Sequence, residues 1–312
     1  MLCLMYDLQA EPDGGEWRVE ESYDFCKKLT YSHYENFPVG SLLVPRELRR
    51  HVHAVYAFSR VADDFSDEDQ FEGERMKYLE NWEAQLKRCY EGHASNPVFI
   101  ALAETAEEFN LPMELFQALL HAFKRDVTVK RYENFASLLD DYCRYSANPV
   151  GRLILLLFDY DDDELFMQSD CICTALQLTN FWQDIAIDLK KDRIYIPLEE
   201  MQAQGYREEE LFQHLYDERF VRVMEPLVER TWQLFDMGYP LIENVQGLFA
   251  KELAFTWMGG TKILERTKKV RYNVFANRPK LSTIDFFTLG FHSLMGIRAR
   301  REKLRKYFQQ SE

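Results

Sequence analysis

The stretch Gln177-Leu178-Thr179-Asn180-Phe181-Trp182-Gln183-Asp184-Ile185-Ala186-Ile187-Asp188 decides how this chain is interpreted. If it is helical, its polar residues share one face, because residues three and four apart stack on each other. The stripe consists of Gln177, Asn180 or Phe181, Asp184 and Asp188. Aspartates at i and i+4 repel each other unless a positive charge lies between them. The stretch therefore predicts a helix whose aspartates need a cationic partner.

A second polar stripe lies earlier, in a helix that we predict from Pro45 to about Asp67 with proline in its first turn. Its members stand at i, i+4, i+7 and i+11 among apolar neighbours, and they are Tyr56, Arg60, Asp63 and Asp67. One Asp-x-x-x-Asp pair is a weak signal, because such aspartates usually cap helices or face water. Two pairs, each preceded one turn earlier by a polar residue, favour a functional site.

The remaining chain is predicted to be helical as well. Glycine and proline are scarce, at 13 and 10 residues, and apolar residues recur every three or four positions instead of alternating. No internal repeat or low-complexity linker divides the sequence. We therefore predict an all-α fold with one domain over residues 1–312, in which 1–16 form an N-terminal segment and 297–312 a basic helix end. Asn148-Pro149 should kink or break a helix from Phe135 to Phe158.

Composition limits the function classes. The net charge of -14 argues against general nucleic-acid binding, which normally shows a basic excess. The longest aliphatic run, Leu153 to Phe158, falls far short of the roughly 20 residues of a spanning helix. Met1 to Gly15 lack the pattern of a secretory signal. The six cysteines show no CxxC pair, which indicates buried thiols in a cytoplasmic protein. A small-molecule partner is the expectation.

Two segments leave alternatives open. The polar and aromatic loop Tyr31 to Pro38 either crosses the surface or carries binding residues. The basic segment Arg298 to Lys306 is either a solvated helix end or a peripheral contact with an anionic membrane surface.

The two stripes together predict a magnesium site. Packed against each other, they would present four carboxylates to one cavity, which requires cations. Magnesium takes hard oxygen ligands and is usually held by one or two carboxylates plus substrate phosphates, whereas zinc would want histidine or cysteine. No phosphate-binding glycine motif of a nucleotide site occurs. The candidates for the remaining phosphate oxygens are Arg60, Arg193 and Arg278. Some of the 23 Phe, 17 Tyr and 5 Trp would line an apolar cavity suited to a hydrocarbon and a carbocation.

These residues resemble a known family, the squalene and phytoene synthases that join isoprenyl diphosphates head to head. Tyr56 to Glu68 is similar to the family's first aspartate-rich motif and Gln177 to Asp188 to its second. Tyr142 to Gly151 is similar to the intervening helix with a substrate-facing tyrosine. The resemblance covers about residues 20 to 285 and implies a helical bundle of the isoprenoid synthase type with a central cavity.

The resemblance also implies roles, carried over position by position. Mg²⁺ would be bound by Asp63, Asp67, Asn180, Asp184 and Asp188. The substrate would be bound by His33, Asn36, Phe37, Tyr56, Gln177, Arg193 and Tyr195, with Tyr56 facing the reacting carbons and the polar members facing diphosphate. The catalytic residues would be Tyr142, Arg60, Asp63 and Asp184.

Within the family, His33 to Pro38 and Asn180 to Asp184 resemble the bacterial hopanoid-pathway branch, whose members act as hydroxysqualene synthases. Phytoene and dehydrosqualene synthases usually carry serines where Tyr34 and Asn36 stand, and a basic residue in place of Gln183. The resemblance therefore implies Mg²⁺-dependent conversion of presqualene diphosphate to hydroxysqualene, with other pathway enzymes as candidate partners. The alternatives are a complete squalene or dehydrosqualene synthase acting on two farnesyl diphosphates, and a non-catalytic assembly or binding protein.

Overall fold

The computed structural model describes residues 17–32, 44–295 and 297–309, and within these ranges it contains helices and no strand. This confirms the predicted all-α fold class. Short 3-10 turns at Asp69–Phe71 and Leu189–Lys191 and a π-helical turn at Leu139–Cys143 join the α-helices. The α-helices, in chain order, are α1 Val19–Ser32, α2 Arg49–Asp67, α3 Arg75–Tyr90, α4 Pro97–Glu108, α5 Met113–Thr128, α6 Phe135–Leu138, α7 Arg144–Leu157, α8 Asp163–Asp188, α9 Leu198–Ala203, α10 Glu208–Phe212, α11 Glu218–Gly238, α12 Pro240–Asn244, α13 Gly247–Lys269, α14 Thr283–Met295 and α15 Arg298–Gln309.

The described residues form two compact units. Those up to Thr128, with Pro149–Asp161, make the first unit, and Val129–Asn148 with those from Asp162 onward make the second. The single domain that the sequence predicts stays a prediction.

Helix α2 is the centre of the first unit and packs against α1, α3, α4 and α5. Its apolar face buries Phe58 and Phe65 completely, and the Trp82 indole N–H donates to the Phe58 carbonyl oxygen at 3.2 Å. The predicted start at Pro45 was wrong. The Leu48 N–H closes a turn on the Pro45 carbonyl oxygen at 3.1 Å, so the α-helical pattern begins after that turn.

Helix α8 is the centre of the second unit and packs against α11 and α13. Gly260 allows the close approach, because a Cβ there would lie 2.6 Å from carbon atoms of both Leu176 and Phe235. Trp182 on α8 is fully buried and donates to Thr231 Oγ1 at 2.8 Å, which satisfies its indole N–H inside the core.

Of the predicted kink or break at Asn148-Pro149, the break does not occur. Helix α7 continues through Pro149, which is itself buried, and the irregular backbone is the π-helical turn at Leu139–Cys143, before α7 begins. Thr174 donates to Asn148 Oδ1 at 2.9 Å, which ties this end of α7 to α8. A proline in a helix interior costs a hydrogen bond, but tertiary packing can hold the helix together.

The basic C-terminal segment packs into the second unit as α15. Leu304 and Phe308 are buried, and Arg301 and Arg305 both pair with Asp236, at 2.6 and 2.8 Å. The interpretation as a solvated helix end was therefore wrong for this face of the helix.

Buried thiols were predicted correctly for three cysteines and wrongly for two. Cys26, Cys89 and Cys143 are buried and free, and burial raises the pKa of each thiol to about 12. Cys171 and Cys173 are half-buried on α8, and Cys3 lies outside the described residues. Among the described helices, none is long and apolar enough to cross a membrane.

Candidate active site

The first stripe lies on α2 as predicted, and an arginine of the same helix partly neutralises it. Arg60 donates to Asp63 Oδ2 at 3.2 Å and forms a closer ion pair with Asp64, which lies one turn further on. Asp64 is 2% exposed, whereas Asp63 is 43% exposed. The sequence analysis missed the role of Asp64, although its position four residues after Arg60 could have indicated it.

The surroundings of the Asp63 carboxyl disfavour its negative charge. Burial raises its pKa, and the nearby carboxylates of Asp67, Asp64 and Asp126 raise it further while Arg60 lowers it. A carboxyl with a raised pKa is one whose negative charge is under-compensated. The first stripe therefore has the electrostatics of a cation site with one outward-facing ligand.

The second stripe lies on α8, and it contains Asn180 and not Phe181. The Asn180 side-chain amide donates to Asp184 Oδ2 at 3.0 Å, while Phe181 is buried on another side of the helix. Of the two alternatives for this position, Asn180 is thus the residue that shares the face of Asp184. Gln177 is half-buried one turn before Asn180.

The cationic partner of Asp184 comes from far along the chain. Arg278 donates through Nε to Asp184 Oδ1 at 2.5 Å and through a terminal nitrogen to Oδ2 at 3.1 Å. The adjacent Gln183 donates to the Pro279 carbonyl oxygen at 2.5 Å. Arg278, a candidate for phosphate oxygens, thus binds a predicted metal ligand, and Gln183 fixes the neighbouring backbone.

An aromatic cluster adjoins the second stripe. The rings of Phe181 and Tyr195 stack with centroids 3.7 Å apart, and Tyr142 meets both edge-on at 5.3 and 5.6 Å. Tyr132 stacks on the far side of Tyr195 at 6.0 Å. Tyr142 and Tyr195 were predicted as site residues, but Tyr132 was missed because it carries no motif and joins through tertiary packing.

Three predicted residues and the stacked phenylalanine meet in one small recess of the second unit. Asp188, Arg193, Tyr195 and Phe181 line it together with apolar side chains, namely Ile185, Leu189, Ile194, Ile196 and Leu211. The Arg193 backbone N–H donates to the Asp188 carbonyl oxygen at 3.0 Å, which holds the turn after α8. The volume of the recess is about 10 Å³, which is room for about one water, so it marks where a carboxylate, a guanidinium and a phenol meet apolar walls.

Other predicted site residues either lie elsewhere or fall outside the description. Tyr56 lies half-buried on α2, one turn before Arg60. His33, Tyr34, Asn36 and Phe37 are outside the described residues.

The donor chemistry fits a hard divalent cation, although a complete protein-only metal cage is absent from the described ranges. Within residues 17–32, 44–295 and 297–309, no three histidine, cysteine or acidic side chains converge closely enough to hold an ion. The predicted ligands are carboxylate and amide oxygens. Magnesium commonly uses one or two carboxylates and completes its shell with water and substrate phosphates, so this donor set fits it.

Comparison with known proteins defines the class of protein. A family model described as "Squalene/phytoene synthase" matches residues 31–285. The crystal structure of a squalene synthase from Alicyclobacillus acidocaldarius is 42% identical, has a TM-score of 0.78, and covers 82% of this chain and 96% of its own. The chain belongs to the squalene/phytoene synthase family, an enzyme family of isoprenoid biosynthesis, and this confirms the resemblance seen in its motifs.

The chain is similar both to hydroxysqualene synthases and to phytoene synthases. A hydroxysqualene synthase of Rhodopseudomonas palustris is 33% identical over 68% of this chain and 72% of its own length. Another, from Zymomonas mobilis, is 40% identical over 55% of this chain and 57% of its own. A 15-cis-phytoene synthase of Synechocystis is 28% identical over 85% of this chain and 82% of its own.

Proposed function

We propose that this protein converts presqualene diphosphate and water to hydroxysqualene and diphosphate. The bond between substrate carbon and diphosphate oxygen breaks, the cyclopropyl cation opens, and water adds its oxygen and loses a proton. The observation that carries the proposal is the grouping of Asp188, Arg193 and Tyr195 beside the rings of Phe181 and Tyr142. This grouping combines donors that suit a diphosphate with aromatic rings that suit a cation.

Mg²⁺ is part of the proposal. Its ligands would be Asp63 and Asp67 of the first stripe and Asn180, Asp184 and Asp188 of the second. The bound metal would neutralise charge that develops on the departing diphosphate. Arg278, which donates to Asp184, would be the residue of the second stripe's surroundings that could also bind a phosphate oxygen.

The residues of the chain itself would bind and orient the substrate. Arg193 offers a fixed planar set of donors and Tyr195 a phenol, both suited to diphosphate oxygens. Tyr142 and Phe181 would present ring faces to the reacting carbons, as expected for a hydrocarbon cation in an apolar cavity. Tyr56, Arg60, Gln177, His33, Asn36 and Phe37 keep their predicted substrate-facing roles in the proposal.

The identity of residue 183 supports conversion of presqualene diphosphate over condensation of two farnesyl diphosphates. The Gln183 side-chain amide donates to the Pro279 carbonyl oxygen, and the side chain has no charge that could bind a second diphosphate. The similarity to two hydroxysqualene synthases agrees with this assignment. The relatives named phytoene synthases, which match over longer spans, favour the alternative, a complete squalene or dehydrosqualene synthase. Intact motif aspartates weigh against a non-catalytic assembly or binding protein.

Substrate choice tests the proposal. Purified protein with Mg²⁺ should release hydroxysqualene from presqualene diphosphate and give no C30 product from farnesyl diphosphate alone. Squalene or dehydrosqualene from farnesyl diphosphate would establish the alternative. An Asp184→Asn variant with unchanged product formation from either substrate would remove Asp184 from catalysis.

Peripheral membrane contact and docking to other pathway enzymes stay predictions. The ion pairs of Arg301 and Arg305 with Asp236 occupy charge that contact with an anionic surface would use. Lys303 and Lys306 are exposed on the same helix and would be the residues to contact such a surface.

A further inference from the structure

The segment from Asp192 to Ile196 carries Arg193 and Tyr195, but it is not helical. Its backbone is held beside the segment that precedes α6. The Ile194 N–H donates to the Lys130 carbonyl oxygen at 3.0 Å, and a few residues later the Leu198 N–H donates to the Tyr132 carbonyl oxygen at the same distance. The orientation of Arg193 and Tyr195 therefore depends on residues 130–132.

Arg131 lies between these two backbone contacts and fastens the segment through its side chain. Its guanidinium donates to the Asp192 carbonyl oxygen at 2.5 Å and to Asp192 Oδ1 at 2.7 Å. It also donates to Glu208 Oε2 at 2.9 Å and to its neighbour's carbonyl, that of Lys130, at 3.0 Å. One side chain thus joins the segment before α6, the segment after α8 and the start of α10.

The residue that Arg131 grips has an unusual backbone. Asp192 adopts the left-handed conformation, with φ 55° and ψ 31°, at the point where the chain turns out of α8. A non-glycine residue in this region is uncommon and needs local hydrogen bonds to hold it. Arg131 supplies them to both the carbonyl and the carboxylate of Asp192, directly before Arg193.

We propose that Arg131 is a positioning residue for diphosphate binding, which fixes the Asp192 turn so that Arg193 and Tyr195 face the recess. The proposal rests on the proposed function in so far as these two side chains bind a diphosphate. Arg131 itself is absent from the residues that line the recess, so it acts through the backbone and not by contact. Arginine suits the task because its planar donor set serves several oxygens at once.

The chain offers a matched control in the same unit. Arg219 also binds one backbone carbonyl, that of Gly205 at 2.9 Å, and two carboxylates, those of Glu210 and Asp217 at 2.8 and 2.7 Å. The side chains of Arg131 and Arg219 are 24% and 33% exposed. A general loss of stability from removing such an arginine would therefore appear in both variants.

The test measures binding of inorganic diphosphate by calorimetry, in the presence of Mg²⁺, and needs no turnover. Arg131→Gln should weaken binding by about tenfold, whereas Arg219→Gln should change it by less than about twofold. Arg131→Lys keeps the charge but loses the planar set of donors, so this variant should also bind diphosphate more weakly. It is the variant to measure if Arg131→Gln does not fold. Hydrogen exchange of the Ile194 amide should be faster in the Arg131 variants than in the Arg219 variant.

A double-mutant cycle separates positioning from a merely structural role. In an Arg193→Gln background, Arg131→Gln should weaken diphosphate binding by less than about twofold, because the group it positions is gone. If the two substitutions weaken diphosphate binding by fully additive free energies, the proposal is overturned. Normal diphosphate binding by Arg193→Gln alone, or by both Arg131 variants, would overturn it as well. Diphosphate is released in squalene, dehydrosqualene and hydroxysqualene synthesis alike, so a different product from the enzyme would refute the proposed function without touching this result.

Discussion

The two aspartate stripes have similar spacing but are neutralised in different ways. On α2, Arg60 of the same helix binds Asp63 and the buried Asp64. On α8, Asp184 is paired with Arg278, which lies 94 residues further along the chain. The Arg60 pair lies within one helix, whereas the Arg278 pair joins two separate segments of the chain. We therefore expect the second stripe to be adjustable and the first stripe to be fixed.

The largest effect should come from removing one metal-facing charge on either stripe. Asp63→Asn and Asp184→Asn should each lower kcat/KM for the diphosphate substrate by about a thousandfold or more, because each loses a ligand of the proposed Mg²⁺ site. Asp162→Asn, at the N-cap of the helix that carries Asp184, is a matched control and should leave kcat/KM nearly unchanged. Equal activity of all three variants would remove the stripes from catalysis.

Removing Arg60 should lower the free energy of unfolding more than removing Arg278. Arg60→Gln takes the cation away from Asp64, which is 2% exposed, and should lower the free energy of unfolding by about 3 kcal/mol. Adding Asp64→Asn should restore part of that loss, because the uncompensated buried charge is then gone. Denaturant unfolding of the single and double variants measures both effects, and a loss below that of a surface ion pair would contradict the fixed character of the first stripe.

Acid should weaken the unit of the first stripe. Helix α2 carries His53, which is 2% exposed, and burial, with Lys27 and Arg49 nearby, lowers its pKa to about 4. The folded state thus keeps the imidazole neutral while the unfolded state takes up a proton below its ordinary pKa, about 6.5. Its stabilising contribution is complete above that value and should fall by about 2 kcal/mol as pH drops to about 5. His53→Gln should flatten this slope in urea titrations at several pH values; an unchanged slope would assign it to other groups.

The smallest effect is expected at the distant pair. Arg278→Gln removes an ion pair in which Arg278 is 36% and Asp184 15% exposed, and because both side chains keep contact with water it should lower the free energy of unfolding by less than about 1 kcal/mol. The same denaturant-unfolding measurement, made beside Arg60→Gln, sharpens the contrast between the stripes. A loss as large as that of Arg60→Gln would show that Arg278 is structural and not an adjustable contact.

Sequence spacing predicted the local features well. The helix over Gln177 to Asp188 and the placement of Asp63 and Arg60 on one face follow from the 3.6-residue period, and both occur. Asp64 was also within reach of that argument. The pairing of Arg278 with Asp184 and the stacking of Tyr132 on Tyr195 were not, because they join residues far apart in the chain.

Two wrong expectations have physical reasons of the same kind. The helix break at Pro149 fails because tertiary packing carries α7 past a residue that local propensity disfavours. The solvated basic helix end fails on one face of α15, because Asp236, on α11, neutralises two of its arginines. In each case the deciding partner lies in another helix, and no single-segment pattern contains it.

The origin of the product's oxygen tests the central claim most directly. Presqualene diphosphate should be incubated with the protein and Mg²⁺ in water enriched in heavy oxygen, and the C30 product analysed by mass spectrometry. The account predicts hydroxysqualene that carries the heavy oxygen in its hydroxyl group, formed without a reductant and lost in Asp184→Asn. An oxygen-free hydrocarbon product, or an alcohol without the label, would contradict it.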